Sequence, residues 1–464
     1  MSLRNQIMRG GAFLAARQLF GVVANFFGLL LLAKLIGPTN YGTYVSVTGL
    51  LTYTQLVAQW GINTFIIRKV GDVQINYYHQ AFTLLLMNGL FLFFCSVLLM
   101  PLLQKWMNMI GFSEIAFWMM LSLPISLVYL VPQAKLERSL NFKKLAAAEI
   151  TGICTFYLVS LSLAALNMGM FAPVFGWWSQ QIILLLVYYL SSSYFPKFVW
   201  RKTIIKEVIK YGFSFSCSTW VWNLRELVSP LIIGRFLGAE AVAIISLSVR
   251  IVRGLSFIKE AMWRISIAGL AKIQNDSRRL IEAISMGMKL QILGQGPLLA
   301  IFCLLSTWII PYFFGNEWSA VIDIYPFVAF SFLTNALFNL HSSAFYVLRK
   351  NLSILFYNSV HVAIFILTAY FLVPVMGIKG YGWAEIAAMA SYFITHYMVK
   401  REIGKLDYRV AIIWWVSFSL VLFVFYIGWI ATVGVVAMLL WKQTWKEIGG
   451  YINQMKSSTH TQAS

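Results

Sequence analysis

Apolar blocks, each about the length of a membrane-spanning helix, recur along almost the whole chain. A helix that rises about 1.5 Å per residue needs roughly 20 residues to cross about 30 Å of hydrocarbon. About 14 blocks reach that length, so the pattern predicts about 14 transmembrane helices. Their approximate positions are 11–33, 43–66, 81–103, 114–133, 146–166, 171–192, 210–233, 239–260, 287–311, 321–346, 353–374, 381–399, 410–426 and 428–441.

The distribution of Lys and Arg between these blocks predicts which side of the membrane each connection faces. Of the 36 Lys and Arg residues, only Lys34, Lys105, Arg235 and Lys379 fall in the outward set of alternate connections. Most of the others, from Arg4 and Arg9 to Lys456, fall in the inward set. The positive-inside bias therefore predicts that both termini are cytoplasmic. The first block is too long for a cleaved signal peptide and is expected to remain as the first span.

The composition supports a membrane protein and limits the expected partners. The chain is 60% hydrophobic and 11% charged, with a mean hydropathy of +0.75, well above a soluble chain. A net charge of +20 can indicate nucleic acid, but the cations lie in short loops beside anionic lipid, so membrane lipids and no nucleic acid are expected. The four cysteines lie in predicted spans without metal-ligand spacing, so no metal or cofactor is expected.

Two halves of the chain carry similar turn sequences. LAKLIGPTNYG, which contains Gly37, ends the first span, and IGRFLGAEAVA, which contains Gly238, ends the seventh. NMGMFAPVFGW with Gly169 and VMGIKGYGWAE with Gly377 form a second pair near the end of each half. Because both halves begin on the same side, the repeat is predicted to be parallel.

These motifs, together with VPQAKLERSLNFKKLAAAE after the fourth span, resemble the oligosaccharide flippases of polysaccharide export. That family belongs to the multidrug, oligosaccharidyl-lipid and polysaccharide exporter superfamily. The resemblance covers about residues 5–400. It departs at Ser229, where many relatives have an acidic residue, so any role of that acid is in doubt here.

The resemblance implies an all-α polytopic protein whose two six-helix bundles surround a central cavity. The predicted domains are residues 1–200, residues 201–405, two further helices at 406–441 and a cytoplasmic polar tail at 442–464. The implied function is to flip an undecaprenyl-diphosphate-type oligosaccharide across the bacterial cytoplasmic membrane by alternating access, for O-antigen, capsule or exopolysaccharide synthesis. The polymerase and chain-length proteins of the pathway are expected partners.

Moving a diphosphate through the membrane requires cations, and arginine suits phosphate because it stays protonated and binds in a bidentate manner. Four arginines fall inside predicted spans and are candidate cavity cations: Arg17, Arg225, Arg250 and Arg253. Intramembrane charges are usually functional. The alternative is a structural one, since Arg225 can also neutralise Glu226 or a carboxylate of a neighbouring helix, although adjacent residues point about 100° apart.

Polar side chains at helical spacing are the candidate lining for sugars. They are Asn25, Thr52, Gln55, Gln59, Asn63, Ser218, Asn335 and Asn339. Such residues also join membrane helices to each other, so both interpretations stay open. The aromatic residues likewise suit either interfacial belts or sugar stacking, with Trp220 and Trp222 as stacking candidates. Proton or sodium coupling is possible, with Glu149, Asp323 and Glu385 as candidate groups.

Two other functions remain to be compared with a flippase. A cation-coupled drug exporter of the same superfamily is expected to have a buried carboxylate early in the chain, but the first three spans contain no Asp or Glu. A membrane polysaccharide polymerase is expected to have a large outward loop and a catalytic cluster, and the sequence shows neither. We therefore expect a transporter and no enzyme.

Overall fold

In a computed structural model, the backbone is described for residues 3–69, 73–348 and 350–451. Side chains are described over the same ranges except 3–16, 210–211, 213–215, 260–261, 263–265 and 267–268. Across these residues the chain is helical apart from turns and short linkers, and none of them forms a strand. The predicted all-α class is confirmed. The side chains of Arg4 and Arg9, and the tail from residue 452 onward with Lys456, lie outside the described residues.

The helices follow one another with short connections. In chain order they are α1 (Leu3–Gln59), α2 (Ile62–Arg68), α3 (Ile75–Met107), α4 (Phe112–Leu121), α5 (Leu123–Val128), α6 (Leu130–Arg138), α7 (Phe142–Ala165), α8 (Phe171–Ser192), α9 (Lys202–Asn223), α10 (Gly234–Leu255), α11 (Phe257–Lys272), α12 (Ser277–Phe314), α13 (Ala320–Val347), α14 (Asn351–Met376), α15 (Ile378–Ala388), α16 (Ser391–Glu402), α17 (Arg409–Leu422), α18 (Val424–Ile427) and α19 (Val433–Leu440).

Nine segments of the described chain are long and apolar enough to cross a membrane. Two of them, Arg17–Gln59 and Ser216–Leu255, are about twice the required length, and each covers two predicted spans. The three remaining predicted spans fall on shorter helices, where α15 and α16 divide one block and α17 and α19 follow. A polytopic membrane protein is therefore confirmed, while the count of 14 stays a prediction.

The two long segments bend at the glycines that define the predicted repeat. Gly37 has φ 76° and ψ 166°, and Gly238 has φ 79° and ψ −173°. An L-residue with a side chain rarely adopts this conformation, whereas glycine does so at little cost. Gly169 and Gly377 also share a positive φ, at 51° and 62°. Both pairs of repeated turns therefore have matching backbone geometry, which agrees with a parallel repeat.

The chain divides into two compact units. Unit 1 contains Met1–Leu247 and Val362–Tyr381, and unit 2 contains Ser248–His361 and Gly382–Ser464. The predicted domain boundaries at residues 200 and 405 follow the sequence repeat instead of this division, and they stay a prediction.

Each unit has its own core. In unit 1, Leu127 and Val131 pack with Ile62 and Ile66 among other buried apolar side chains. In unit 2, the span Asn316–Val347, which contains α13, is the most buried of the nine apolar segments, and Trp318 just before α13 and Trp414 of α17 are fully buried. Apolar side chains such as Leu98 and Leu190, each 80% exposed, cover the outer surface, as expected for helices that face lipid.

Candidate functional site

Arg225 lies where the helical geometry of the long segment Ser216–Leu255 changes. The α-helix α9 ends at Asn223 and is followed by a 3₁₀ turn, Leu224–Leu227, and a π-helical turn, Ser229–Ile233. Pro230 stands at the start of the π turn, and its missing N–H and its ring explain why the regular α-helical bonds cannot continue there. π turns inside helices are often found at functional sites.

The guanidinium of Arg225 contacts two aromatic rings of unit 1. Its Cζ lies 5.1 Å from the centre of the Trp222 ring and 5.5 Å from the centre of the Phe365 ring. Arg225 is half-buried, whereas Glu226 is exposed. Cation–π contacts use the face of the guanidinium, whereas a phosphate is matched by its N–H edge. The role of Arg225 as a cavity cation stays a prediction.

The second half of α1 packs beside this segment. A Cβ at Gly49 would lie 3.4 Å from Cγ of Pro230 and 3.8 Å from the carbonyl oxygen of Glu226. Thr52 is nearly one turn further on and exposed, so it lies on the same face of α1. The indole N–H of Trp220 donates to the carbonyl of Leu56, at 3.2 Å. Trp220 thus joins helices, while Trp222 lies against Arg225.

The other polar candidates of this region divide between helix contacts and partly open positions. Gln55 donates from Nε2 to the hydroxyl of Ser126, at 2.9 Å, and thereby joins α1 to α5. Gln59 and Ser218 are half-buried, and the buried Oδ1 of Asn63 has no hydrogen-bond partner. Gln55 therefore fits the helix-joining interpretation, and the other three remain candidate lining residues.

Arg17 forms an ion pair with Glu149 of α7. Its side chain is 29% exposed and that of Glu149 is 17% exposed, so the pair is largely removed from water. About two turns further along α1, the exposed Asn25 accepts a hydrogen bond from the Tyr157 hydroxyl, at 3.0 Å. The first three predicted spans contain no Asp or Glu, but α7 supplies the carboxylate of Glu149 to Arg17. Arg17 has a carboxylate partner, and its role as a cavity cation stays a prediction.

In unit 2 the candidate amides join helices. Nδ2 of Asn335 donates to the hydroxyl of Tyr392 at 2.7 Å, and Nδ2 of Asn339 donates to Oε1 of Gln291 at 3.2 Å. Arg250 is half-buried and Arg253 is exposed. The hydrogen bonds of Asn335 and Asn339 described above do not involve either arginine.

The three predicted coupling groups have different surroundings. Glu385 is 3% exposed and accepts a hydrogen bond from the Ser331 hydroxyl, at 2.8 Å. The backbone carbonyl of Asp323 accepts from the Tyr426 hydroxyl, at 3.2 Å. Glu149 is the partner of Arg17. Among the described residues, no three His, Cys, Asp or Glu side chains are grouped as metal ligands.

Sequence periodicity missed the partners that come from distant helices. It did not indicate Glu149 as the partner of Arg17, Phe365 as a ring under Arg225, or a cluster of histidines and tyrosines in unit 2. Each of these contacts joins residues far apart in the chain, and the pattern along one helix carries no information about its neighbour. A signal was available only at Pro230, since a proline inside an apolar helix marks a disturbed turn.

Comparison with known proteins places the whole chain among related membrane proteins. A family described as polysaccharide biosynthesis protein matches residues 31–323, more than half of the chain. A Klebsiella pneumoniae protein described as an uncharacterized membrane protein in the cps region is 21% identical, over 87% of this chain and 84% of its own. The Bacillus subtilis teichuronic acid biosynthesis protein TuaB is 22% identical, over 74% of this chain and 71% of its own.

Solved structures identify the fold. The lipid II flippase MurJ in an inward closed conformation superposes with a TM-score of 0.73 at 13% identity, covering 95% of this chain and 99% of its own. An inward-facing multidrug MATE transporter gives a TM-score of 0.56 at 14% identity, covering 83% and 94%. The chain therefore has the all-α fold of these solved structures.

Proposed function

The chain belongs to the polysaccharide biosynthesis protein family, and from that premise we propose that it flips a lipid-diphosphate-linked oligosaccharide across the bacterial cytoplasmic membrane. The proposed substrate is an undecaprenyl-diphosphate-type repeat unit for a surface polysaccharide. In this proposal both termini are cytoplasmic and the cycle is one of alternating access. The polymerase and chain-length proteins that act on the exported unit are the proposed partners.

The observation that carries this proposal is the guanidinium of Arg225, half-buried in an apolar span and in contact with two rings. A permanent charge in such a place is costly and is retained where it serves transport. Its chemistry suits an anion: the planar N–H edge matches phosphate oxygens, and the reduced water content strengthens the attraction. A polysaccharide-family match, together with this cation, favours a lipid-diphosphate over a cationic drug.

The proposed role of Arg225 is tested by export in a strain that lacks the gene and is complemented with variants. Arg225→Ala is expected to abolish surface polysaccharide and to leave lipid-linked repeat units in the cell, measured by mass spectrometry of extracted lipids. Arg225→Lys keeps the charge but loses the bidentate edge, so we expect partial export.

A matched control is Arg235, whose Cζ also lies 5.1 Å from the centre of a tryptophan ring, that of Trp106. Arg235 is exposed, and Arg235→Ala is expected to retain export. Membrane abundance and monodispersity in detergent show whether each variant folds. Parental export by Arg225→Ala would remove Arg225 from the site, and a deletion strain without accumulated lipid-linked units would overturn the flippase proposal itself.

A further inference from the structure

Two histidines of unit 2 share one tyrosine hydroxyl. Oη of Tyr408 lies 2.6 Å from Nε2 of His341 and 2.9 Å from Nδ1 of His396. The three residues come from α13, from α16 and from the position immediately before α17. Both distances are those of hydrogen bonds.

The number of protons on these three groups allows only two arrangements of the hydrogen bonds. A tyrosine hydroxyl has one proton to donate, and a neutral imidazole has one N–H and one acceptor nitrogen. When the hydroxyl donates to His341, His396 must donate its Nδ1–H to the hydroxyl, and the reverse arrangement inverts both bonds. A proton added to His396 can therefore move on: His396 gives its Nδ1 proton to Oη, and Oη gives its own to Nε2 of His341. No other reactant is needed, and the positive charge passes from His396 to His341.

The burial of the three groups gives this transfer a direction. His341 is 0% exposed, whereas His396 and Tyr408 are half-buried. Lys405, Asp407 and Arg409, which surround Tyr408 in sequence, are exposed. The outer end of the chain of bonds thus lies beside a charged segment that water reaches, and its inner end lies in the core of unit 2.

The inner end has an atom that no neighbour satisfies. Nδ1 of His341 is buried and has no hydrogen-bond partner. Buried polar atoms are nearly always paired, so such an atom at the end of a chain of hydrogen bonds is unusual. When Oη donates to Nε2, Nδ1 carries the N–H of the ring, so a proton delivered to Nε2 stays on His341 as an imidazolium.

Several charged side chains on the neighbouring helices contact groups other than His341, His396 and Tyr408. On α12, Lys289 contacts Glu447 at 2.8 Å. Lys259 of α11 lies over the Phe332 ring, and Asp407 accepts from the backbone N–H of Arg409. On α16, Glu402 pairs with Lys350. The two imidazoles are joined to each other through the Tyr408 hydroxyl.

From this geometry we propose that His396, Tyr408 and His341 form a proton-binding relay in unit 2, through which a proton passes from the exposed segment before α17 to the buried imidazole of His341. The relay joins α13, α16 and the start of α17, so its charge affects how these helices pack. The proposal stands on unit 2 alone. Only its use to drive a transport cycle rests on the proposed function.

The test follows the five histidines of the full-length protein by NMR, with ¹⁵N- and ¹³C-labelled histidine in nanodiscs between pH 5 and 9. In the wild type we expect the signals of His341 and His396 to change together as one coupled pair. Tyr408→Phe is expected to separate them and to shift at least one titration midpoint by about one pH unit, a tenfold change in proton affinity. His396→Gln removes the second imidazole, so the titration midpoint of His341 is expected to move away from its wild-type value.

His79 provides the matched control, because its Nδ1 lies 3.2 Å from the Tyr194 hydroxyl in a pair without a second histidine. Tyr194→Phe is expected to leave the midpoints of His341 and His396 unchanged. The relay is refuted if Tyr408→Phe leaves both midpoints in place, or if the titration curve of His341 in His396→Gln is the same as in the wild type. The experiment needs no oligosaccharide, so its failure is distinct from failure of the flippase proposal.

Discussion

The surroundings of Arg17 and Arg225 in unit 1 and the helix α13 in unit 2 accommodate polar groups with different chemistry. Unit 1 uses formal charges: Arg17 is paired with Glu149, and Arg225 contacts the rings of Trp222 and Phe365. In unit 2, α13 uses neutral groups, such as Asn335 with Tyr392 and His341 with Tyr408. Arginine stays charged over the whole physiological range, whereas an imidazole changes its charge near neutral pH. This contrast agrees with the two proposals, a fixed cation for an anionic substrate in unit 1 and a proton relay in unit 2.

Loss of the Arg17–Glu149 ion pair in unit 1 is expected to have the largest effect on stability. Glu149→Gln leaves the guanidinium of Arg17 without its carboxylate in a largely buried place, which is expected to cost about 3 kcal/mol of the free energy of unfolding. Removing both charges, in Arg17→Met with Glu149→Met, is expected to recover most of that loss. Thermal unfolding of the purified protein in detergent measures both variants.

The control for this variant is Glu282→Gln, because the Arg278–Glu282 pair is solvent-exposed, at 91% and 64%. Exposed pairs contribute little, so we expect its unfolding temperature to stay close to the wild type. A Glu149→Gln protein as stable as this control would show that Arg17 is solvated, and the contrast between the units would then lose its main support.

The neutral contacts of unit 2 are expected to have a smaller effect. Tyr392→Phe removes the hydroxyl that accepts from Asn335 at 2.7 Å, while the stack of this ring on Phe338, at 4.6 Å between ring centres, is kept. Hydrogen bonds between membrane helices are worth about 1 kcal/mol, so a loss of that size is expected in the same unfolding assay. Phe338→Leu, which disturbs the stack but keeps the hydrogen bond, separates the two contributions. A loss as large as that of Glu149→Gln would contradict the ordering of the two units.

Sequence patterns predicted features that lie within one helix or one turn. The apolar blocks predicted the all-α membrane fold, and the repeated motifs predicted matching turns at Gly37 and Gly238. Contacts between helices could not be predicted from these patterns. The pairing of Arg17 with Glu149 and the shared hydroxyl of Tyr408 depend on how helices distant in sequence are arranged, and the composition of one helix does not encode its neighbour's register. Pro230 indicates a disturbed turn in the sequence, but the π-helical geometry of that turn was not predicted.

An exposed ion pair of unit 1 gives the smallest expected effect and shows whether burial or charge decides the ranking. The Lys69 ammonium contacts Glu207 at 2.6 Å, and the side chains are 20% and 45% exposed. The hydrogen bond from Lys69 lowers the pKa of Glu207, and the same bond raises the pKa of Lys69. The contribution of Glu207 is therefore complete above its ordinary pKa and lost as the pH falls through the lowered value. That of Lys69 is complete below its ordinary pKa and lost as the pH rises through the raised value.

Glu207→Gln is therefore expected to cost less than about 1 kcal/mol at pH 7, because water screens the pair. As the pH falls below the ordinary pKa of Glu207, its unfolding temperature should approach that of the wild type, since the wild type then loses the same contribution. Thermal unfolding from pH 3.5 to pH 8 measures this convergence, with Glu317→Gln, a change at an exposed carboxylate, as the control. If Glu207→Gln cost as much as Glu149→Gln at pH 7, charge alone would set the ranking. A small, pH-dependent cost would instead assign the larger effect of Glu149 to its removal from water.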